Sequence, residues 1–274
     1  MDWKRILIGR WSWKRPFISI VSIYLMLVLV ALFMADRLIF LPPPASYSST
    51  FPGLSRVTTS EGEEIAMMHL PAAPGMPTLL YSHGNAEDLA HSVDLYDAWN
   101  AKGLGVVAYD YPGYGQSTGS PGEKSVERSI EAVWTYLTTS GIAVSSIIIV
   151  GRSVGSGPAV WLASRHPEAA GLVLVSPFTS TFAVAIPTPF PVLPGDRFPN
   201  LHRIRSMDLP LLVIHGEHDE VIAASHGRKL VEASPAKNKA YHLIPAARHN
   251  DLFVVAGDNL IELVSGFAAE VARP

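Results

Sequence analysis

The sequence of 274 residues contains no cysteine. Disulfide bonds, thiolate catalysis, cysteine-ligated zinc and S-acylated membrane anchors are therefore excluded for this chain. Charged residues are scarce, at 16% against 48% hydrophobic residues, a balance that disfavours disorder and allows a large buried core. Basic residues are not in excess either, because 21 Lys and Arg face 24 Asp and Glu, so we predict no nucleic-acid partner.

Charge is absent altogether from residues 16–35, which are rich in Ile, Val, Leu, Met and Phe. At about 1.5 Å per helical residue, such a run spans the roughly 30 Å hydrocarbon core of a bilayer. Residues 1–15 precede it and carry one acidic residue, Asp2, against Lys4, Arg5, Arg10, Lys14 and Arg15. We predict a transmembrane signal-anchor in the lipid bilayer, with a basic cytoplasmic amino terminus and the later residues on the periplasmic, extracellular or lumenal side.

Two other interpretations of the apolar run stay open. A cleaved signal peptide has a shorter apolar region, of about 7–15 residues, and Phe33 is bulky for a cleavage motif that ends at Ala35. A buried core helix is the other alternative, although soluble cores rarely need so long an uncharged run. Residues 36–50 contain a short apolar stretch and then three consecutive prolines, so we predict an interfacial, proline-rich linker to a catalytic domain at residues 51–274.

Residues 51–274 alternate between short apolar runs and segments with helical periodicity. The apolar runs predict strands at residues 78–82, 105–109, 147–150, 172–175, 211–214 and 242–244. Because these runs are continuously apolar, they indicate an α/β fold with a mostly parallel sheet that is covered by helices on both faces. Residues 65–70 precede the first βα unit and predict antiparallel strands at the edge of this sheet.

The regular alternation is interrupted at residues 178–206, which contain five prolines and have no clean period. Such a segment predicts a small lid inserted after a strand. Its apolar side chains are candidates for contact with a substrate. The tentative lid residues are Phe178, Phe182, Ile186 and Phe190.

The pattern Gly-x-Ser-x-Gly occurs twice, at residues 115–119 and 151–155. The second copy lies between a predicted strand and a helical segment, which is the strand–turn–helix context of a nucleophile elbow. Ser153 is therefore the predicted nucleophile, with a capping serine in a glycine-rich turn as the structural alternative. In the first copy, Ser117 is flanked by turn-forming residues on both sides and is predicted to be a turn residue.

A serine hydroxyl needs a neutral imidazole to take its proton, and that imidazole needs a carboxylate on its other nitrogen. Two candidates follow the last two predicted strands, at the carboxyl edge where sites form in parallel sheets. Asp219 follows the strand at residues 211–214, and His249 follows the strand at residues 242–244. Glu217 stays an alternative to Asp219. Other histidines, among them His91, His166, His202 and His226, are predicted to have structural or solvent-facing roles.

Acyl transfer also needs hydrogen-bond donors aimed at the developing oxyanion. One donor is the backbone N–H of the residue after the nucleophile, Val154. The other is predicted at Asn85, in the loop after the strand at residues 78–82, where Gly84 permits a sharp turn; an ordinary βα turn is the alternative. This chemistry requires no metal and no cofactor, and we predict none.

Seven stretches together resemble the α/β-hydrolase superfamily, in particular its BEM46-like branch and the related α/β-hydrolase domain-containing 17 and 13 proteins. The stretches are HGNAEDL from His83, YDYPGYGQSTG from Tyr109, GRSVGSGPAV from Gly151, SPFTS from Ser176, FPN from Phe198, VIHGEHDEVI from Val213 and HND from His249. The resemblance implies an α/β-hydrolase fold, the same triad of Ser153, Asp219 and His249, and an oxyanion hole at Asn85 and Val154.

Proteins of the 17 type remove palmitate from protein thioesters and attach to the cytosolic leaflet through an acylated, cysteine-rich segment. This chain has a hydrophobic span and no cysteine, a single-span arrangement that is closer to the BEM46 and 13 types. We expect hydrolysis of acyl or lipid-like carboxylic esters or thioesters through an acyl-enzyme on Ser153. The alternatives are an acyltransferase or peptidase with the same triad and, in another class, a non-catalytic membrane-tethered binding protein.

Overall fold

The computed structural model of the chain describes residues 13–185 and 194–272. Its centre is an eight-stranded sheet with the strand order β1-β2-β4-β3-β5-β6-β7-β8. The strands are β1 Leu54–Thr58, β2 Glu64–Leu70, β3 Thr78–Ser82, β4 Gly105–Tyr109, β5 Ile147–Arg152, β6 Gly171–Val175, β7 Leu211–Gly216 and β8 Lys239–Ile244. The α-helices of the described residues are α1 Lys14–Phe33, α2 Ala35–Ile39, α3 Val93–Ala101, α4 Glu123–Thr139, α5 Ser156–Arg165, α6 Thr181–Ala185, α7 Asn200–Ile204, α8 Ser225–Ala233, α9 Leu252–Ala256 and α10 Asp258–Val271.

The sheet is mostly parallel, as the continuous apolar runs predict. The strands from β3 to β8 pair in parallel, whereas β2 runs antiparallel to both β1 and β4. Ser82 at the end of β3 lies opposite Tyr109 of β4 and Gly151 of β5. The carboxyl ends of neighbouring strands therefore meet at one edge of the sheet, where loops from different βα units can combine into one site.

Two hydrophobic clusters, one on each face of the sheet, hold the helices in place. Alternate residues of β5 divide between them, because Ile149 belongs to one cluster and Ile148 to the other. Buried side chains of α4 and α5 pack in the first cluster, and those of α3 and α10 pack in the second. The predicted fold class, an α/β-hydrolase fold with helices on both faces of a mostly parallel sheet, is confirmed.

The helix α1 is the long apolar helix that the sequence predicts. Among the described residues it is the one helix long and apolar enough to cross a membrane by length and composition, a test that a signal sequence also passes. Pro16 lies in its first turn, where the missing N–H costs no hydrogen bond. Most of its side chains are exposed, and Ala31 is its buried residue.

The predicted linker, residues 36–50, does not form a free spacer but packs against the domain. Phe40 is buried, and its ring meets the ring of Tyr111 edge-on at a centroid distance of 6.5 Å. The hydroxyl of Tyr47 donates a hydrogen bond to the buried carboxylate of Asp110. The apolar run at residues 38–41 is too short to show a period, so the sequence pattern did not reveal which of its side chains turns inward.

The predicted lid range, residues 178–206, contains buried residues toward both of its ends. Phe178, Phe198 and Ile204 are buried, with 3%, 0% and 1% of their surface exposed. Phe198 also lies directly under α5, since a Cβ placed on Gly157 would come within 2.5 Å of its ring. Both ends of the range therefore belong to the core. The prolines hide this division in the sequence because they interrupt any helical or strand period.

Candidate active site

Ser153 lies at the junction of β5 and α5, where the short 3₁₀ turn Ser153–Gly155 joins strand to helix. Its φ of +50° is the left-handed conformation that a nucleophile elbow imposes on a residue other than glycine. A Cβ on Gly151 would lie 2.5 Å from the carbonyl oxygen of Gly155, and a Cβ on Gly155 would overlap the carbonyl of Ser82. Both glycines of the motif are therefore needed for β3, β5 and α5 to approach so closely.

Three side chains that the sequence selects come together at the carboxyl edge of the sheet. The Oγ atom of Ser153 is 2.9 Å from Nε2 of His249, and Nδ1 of His249 is 2.8 Å from Oδ2 of Asp219. Asp219 follows β7 and His249 follows the adjacent parallel strand β8, which brings the two residues side by side. All three side chains are buried, so their hydrogen bonds are shielded from competition by water.

The carboxylate of Asp219 is surrounded by donors. Its Oδ1 accepts hydrogen bonds from the N–H groups of Val221, at 3.0 Å, and Ile222, at 2.7 Å. Its Oδ2 also faces Nε2 of His215 at 3.3 Å. Burial by itself raises the pKa of this carboxyl, but the hydrogen bonds from the two histidines and the backbone outweigh burial and hold the pKa well below its usual range. Asp219 is therefore ionised at neutral pH.

The state of Asp219 fixes the orientation of the imidazole. An ionised carboxylate only accepts hydrogen bonds, so Nδ1 of His249 donates to Asp219. In the neutral ring Nε2 is then the acceptor, and it faces the hydroxyl of Ser153. This arrangement can take the serine proton. Glu217, the alternative acid, is exposed to solvent, whereas Asp219 contacts His249 directly.

The serine of the first Gly-x-Ser-x-Gly copy has structural partners. The hydroxyl of Ser117 donates to the carbonyl oxygen of Asp110 and accepts from the N–H of Ala66, each at 2.9 Å. These bonds fasten the loop of Ser117 to β2.

His226 also has a structural partner, because its Nδ1 lies 2.9 Å from the hydroxyl of Thr179.

The two predicted oxyanion donors line the same cleft as the nucleophile. Asn85, Val154 and Ser153 all contribute to its wall. In the described part of the chain, no backbone carbonyl accepts a hydrogen bond from the N–H of Asn85. Asn85 and Val154 thus lie beside Ser153, where the predicted oxyanion donors would be needed.

The side chain of Asn85 holds the loop after β3 in place through four hydrogen bonds. Its Oδ1 accepts hydrogen bonds from the N–H of Leu41, the N–H of Ala86 and the hydroxyl of Tyr114, and its Nδ2 donates to the carbonyl oxygen of Ile39. All four bonds are 2.6 to 3.0 Å long. The amide therefore connects the loop after β3 to the segment that follows α1.

An ion pair between Glu87 and Arg152 joins the loop after β3 to the turn that carries Ser153. Glu87 also accepts a hydrogen bond of 3.1 Å from the N–H of Gly84, and the guanidinium of Arg152 stacks on Phe253 at 4.5 Å. Sequence analysis missed this pair, and it missed the contact of His215 with Asp219. Arg152 directly precedes the nucleophile and Glu87 lies within the predicted loop, but their pairing depends on the alignment of two separate βα units.

The hydroxyl of Ser153 opens into a cleft of about 330 Å³. Beyond the polar groups, its walls are apolar and consist of Ile39, Phe178, Val184, Ala185, Val221 and Ile222. Of the tentative lid residues, Phe178 belongs to this wall and Phe182 lines an adjoining cleft. Ile186 and Phe190 lie outside the described residues.

Comparison with known sequences relates most of the chain to one family. Residues 76–194 and 196–253 match the family model described as serine aminopeptidase, S33. Human α/β-hydrolase domain-containing protein 17B is 41% identical over 197 residues, which are 71% of this chain and 68% of that protein. Protein 17C of Xenopus laevis is 38% identical over 204 residues, 73% of this chain and 65% of that protein.

Solved structures share the architecture at much lower identity. An esterase from Pyrococcus furiosus matches with a TM-score of 0.71 and 17% identity, over 85% of this chain and 100% of that chain. A monoacylglycerol lipase from Paleococcus ferrophilus matches with a TM-score of 0.62 and 19% identity, over 76% of this chain and 99% of that chain. These two similarities show the fold alone. From the family match and the 41% identity to protein 17B, this chain belongs to the α/β-hydrolase family and is a hydrolase.

Proposed function

We propose that this protein is a membrane-anchored serine hydrolase that cleaves carboxylic esters or thioesters through an acyl-enzyme on Ser153. The observation that carries the proposal is the relay from Ser153 through His249 to Asp219, with contacts of 2.9 and 2.8 Å. The positive φ of Ser153 and the backbone donors of Asn85 and Val154 support the same chemistry.

In the first half of the reaction, Oγ of Ser153 attacks the acyl carbon while Nε2 of His249 takes its proton. The carbonyl oxygen becomes an oxyanion, which accepts hydrogen bonds from the N–H groups of Asn85 and Val154. The bond to the alcohol or thiol then breaks, and the imidazolium returns the proton to the leaving group. Ionised Asp219 stabilises the imidazolium between these two proton transfers.

In the second half, water replaces the leaving group. His249 removes a proton from the water while its oxygen attacks the acyl carbon of the ester on Ser153. The same two backbone donors hold the second oxyanion. Collapse of this intermediate releases the carboxylic acid and returns the proton to Ser153. The cycle consumes one water and needs only groups that the site contains.

The lining of the cleft supports an acyl substrate over a peptide with a free amino terminus. A free α-amino group requires an acidic partner, and no Asp or Glu is among the described residues that line the cleft. Its cationic residue, Arg152, is already paired with Glu87. An aminopeptidase is the second candidate because the matching family model has that description. Turnover of an aminoacyl 4-nitroanilide, without turnover of esters, would favour it.

Membrane attachment rests on α1 and on the basic residues around its start. The exposed apolar side chains of α1 suit a hydrocarbon environment, and the positive-inside rule keeps the amino terminus in the cytoplasm. Because the chain has no cysteine, Ser145→Cys on an exposed loop provides a single labelling site. With the protein in a bacterial inner membrane, we expect a membrane-impermeant maleimide to label this variant in spheroplasts, whose outer surface is the periplasmic side. Labelling only after the membrane is opened would contradict the proposed orientation.

A fluorescent fluorophosphonate tests the proposed chemistry on the detergent-solubilised protein. The wild type and Ser117→Ala are expected to be labelled, whereas Ser153→Ala is not. Hydrolysis of p-nitrophenyl butyrate by Ser153→Ala is expected to fall by a factor on the order of 10⁴ or more. Equal labelling of Ser153→Ala and the wild type, or no labelling of the wild type, would reject the proposal.

A further inference from the structure

The catalytic cleft adjoins a second cleft of about 280 Å³, which lies between α1, α2 and α6. The two clefts have three lining residues in common: Ile39, Thr181 and Ala185. The two clefts therefore adjoin at the end of α2, between Ser153 and the side of α1.

The lining of the second cleft is almost entirely hydrocarbon. Its larger side chains are Leu27, Val30, Leu38 and Phe182. Among the described lining residues the one polar side chain is that of Thr181, whose hydroxyl already donates to Asp196 at 3.1 Å. Ordered water needs two to four polar partners, and this cleft offers few, so an apolar occupant fits it better.

The cleft is built by close contacts between α1, α2 and the domain. Ala31 and Ala35 are buried, with 7% and 5% of their surface exposed, and their small side chains leave the space that the cleft occupies. Asp36 is paired with Arg197 at 2.8 Å, which fixes α2 against the segment that follows α6. Other residues of α1 present an exposed apolar surface, including Leu25, Leu29 and Leu32.

We propose that the acyl chain of the substrate runs through both clefts, with its carbonyl carbon at Ser153 and its tail against α1. The substrate class is then a long-chain acyl ester or thioester, which enters sideways from the hydrocarbon layer beside α1. This inference rests on the proposed function, because it needs an acyl group at Ser153. It gives α1 a role in addition to anchoring, as one wall of the acyl site. The path keeps the chain in apolar surroundings from the bilayer to the nucleophile.

Two leucines of α1 provide a test variant and a matched control. Leu27 lines the second cleft, whereas Leu29, of similar exposure, does not. Positions separated by two residues are rotated by about 200° around the helix axis, so the side chains of Leu27 and Leu29 point to nearly opposite sides of α1. Leu27→Trp fills the cleft, and Leu29→Trp adds the same bulk elsewhere. Leu38→Trp, at an exposed position of the lining, blocks the cleft independently of α1.

The readout is kcat/KM of the full chain in detergent micelles with p-nitrophenyl butyrate and p-nitrophenyl palmitate. We expect the wild type to cleave both esters. The ratio of kcat/KM for the palmitate ester to kcat/KM for the butyrate ester is expected to fall about tenfold in Leu27→Trp and Leu38→Trp. In Leu29→Trp this ratio is expected to stay at the wild-type value. An unchanged ratio in both cleft variants, an equal fall in Leu29→Trp, or a wild type that cleaves butyrate but not palmitate would overturn the inference. Failure of the proposed function is distinct, since the wild type would then show neither butyrate turnover nor Ser153-dependent fluorophosphonate labelling.

Discussion

The side-chain amide of Asn85 donates a hydrogen bond of 2.6 Å to the carbonyl oxygen of Ile39, the last residue of α2. The same side chain accepts a bond of 3.0 Å from the N–H of Leu41. The residue that is proposed to supply an oxyanion donor is thus positioned by the segment that follows the apolar helix. The segment after α1 therefore contributes to the candidate active site as well as connecting it to the apolar helix.

Asn85→Ala is expected to lower kcat for p-nitrophenyl butyrate about tenfold to a hundredfold with little change in KM, because the loop loses the bonds that aim its backbone N–H. Asn85→Asp keeps the acceptor for Leu41 but loses the donor to Ile39, so an intermediate loss is expected. Asn100→Ala is the matched control, since the Asn100 amide donates to the carbonyl oxygens of Pro71 and Leu104. Equal kinetic effects at both positions would argue against a specific role for Asn85.

The ion pair of Glu87 and Arg152 is expected to act on catalysis through the position of the loop. Glu87→Ala removes both the ion pair and the acceptor for the N–H of Gly84, so kcat is expected to fall about tenfold. Glu87→Gln keeps an acceptor and is expected to retain more activity. Steady-state kinetics alongside circular dichroism separates this effect from unfolding. Glu131→Ala is the control, because Glu131 contacts Arg165 and neither residue lines the cleft of Ser153. A similar loss of kcat in this variant would count against the loop as the cause.

Ser117→Ala tests the structural role of the other motif serine. The substitution leaves the N–H of Ala66 and the carbonyl of Asp110 without their buried partner, and this costs about 1–3 kcal/mol in the free energy of unfolding. Denaturant unfolding measures the loss, and Ser145→Ala at an exposed position is expected to change stability by less than about 0.5 kcal/mol. Loss of fluorophosphonate labelling in folded Ser117→Ala would contradict the assignment.

Asp219 links stability to pH. Its pKa is lower in the folded protein than in the unfolded chain, where it is about 3.9, so the folded state binds fewer protons near that pH. The stabilisation is complete above about pH 5 and is lost as the pH falls through 3.9 toward the folded value. Asp219→Asn removes this dependence.

Thermal unfolding of both proteins between about pH 6 and pH 2 measures the difference. The gap in Tm between wild type and Asp219→Asn is expected to be largest at neutral pH and to close on acidification. A difference in Tm that stays constant over the whole pH range would show that the Asp219 carboxylate does not cause the pH dependence of stability. At neutral pH, Asp219→Asn is also expected to lower kcat by about 10⁴-fold, because the imidazole loses its orienting acceptor.

Much of the fold could be predicted because its signals are local. Continuous apolar runs mark buried parallel strands. The turn at residues 151–155 is recognisable from its two glycines, which the close approach of strand and helix requires. The positions of Ser153, Asp219 and His249 after β5, β7 and β8 follow from the same reasoning, since the carboxyl ends of parallel strands gather at one edge. The burial of Phe40 and Phe198 could not be predicted, because both lie in irregular segments without a helical or strand period.

The sequence by itself determined the strand–turn–helix elements, the three triad positions and the apolar helix, because each depends on residue types within a short window. Only the tertiary structure decided that Ile39 holds Asn85, that Glu87 meets Arg152 and that His215 supports Asp219. Ile39 and Asn85 are 46 residues apart, and their contact depends on how α2 packs over the loop after β3. The cleft beside the candidate active site arises in the same way, since its walls come from α1, α2 and α6 together.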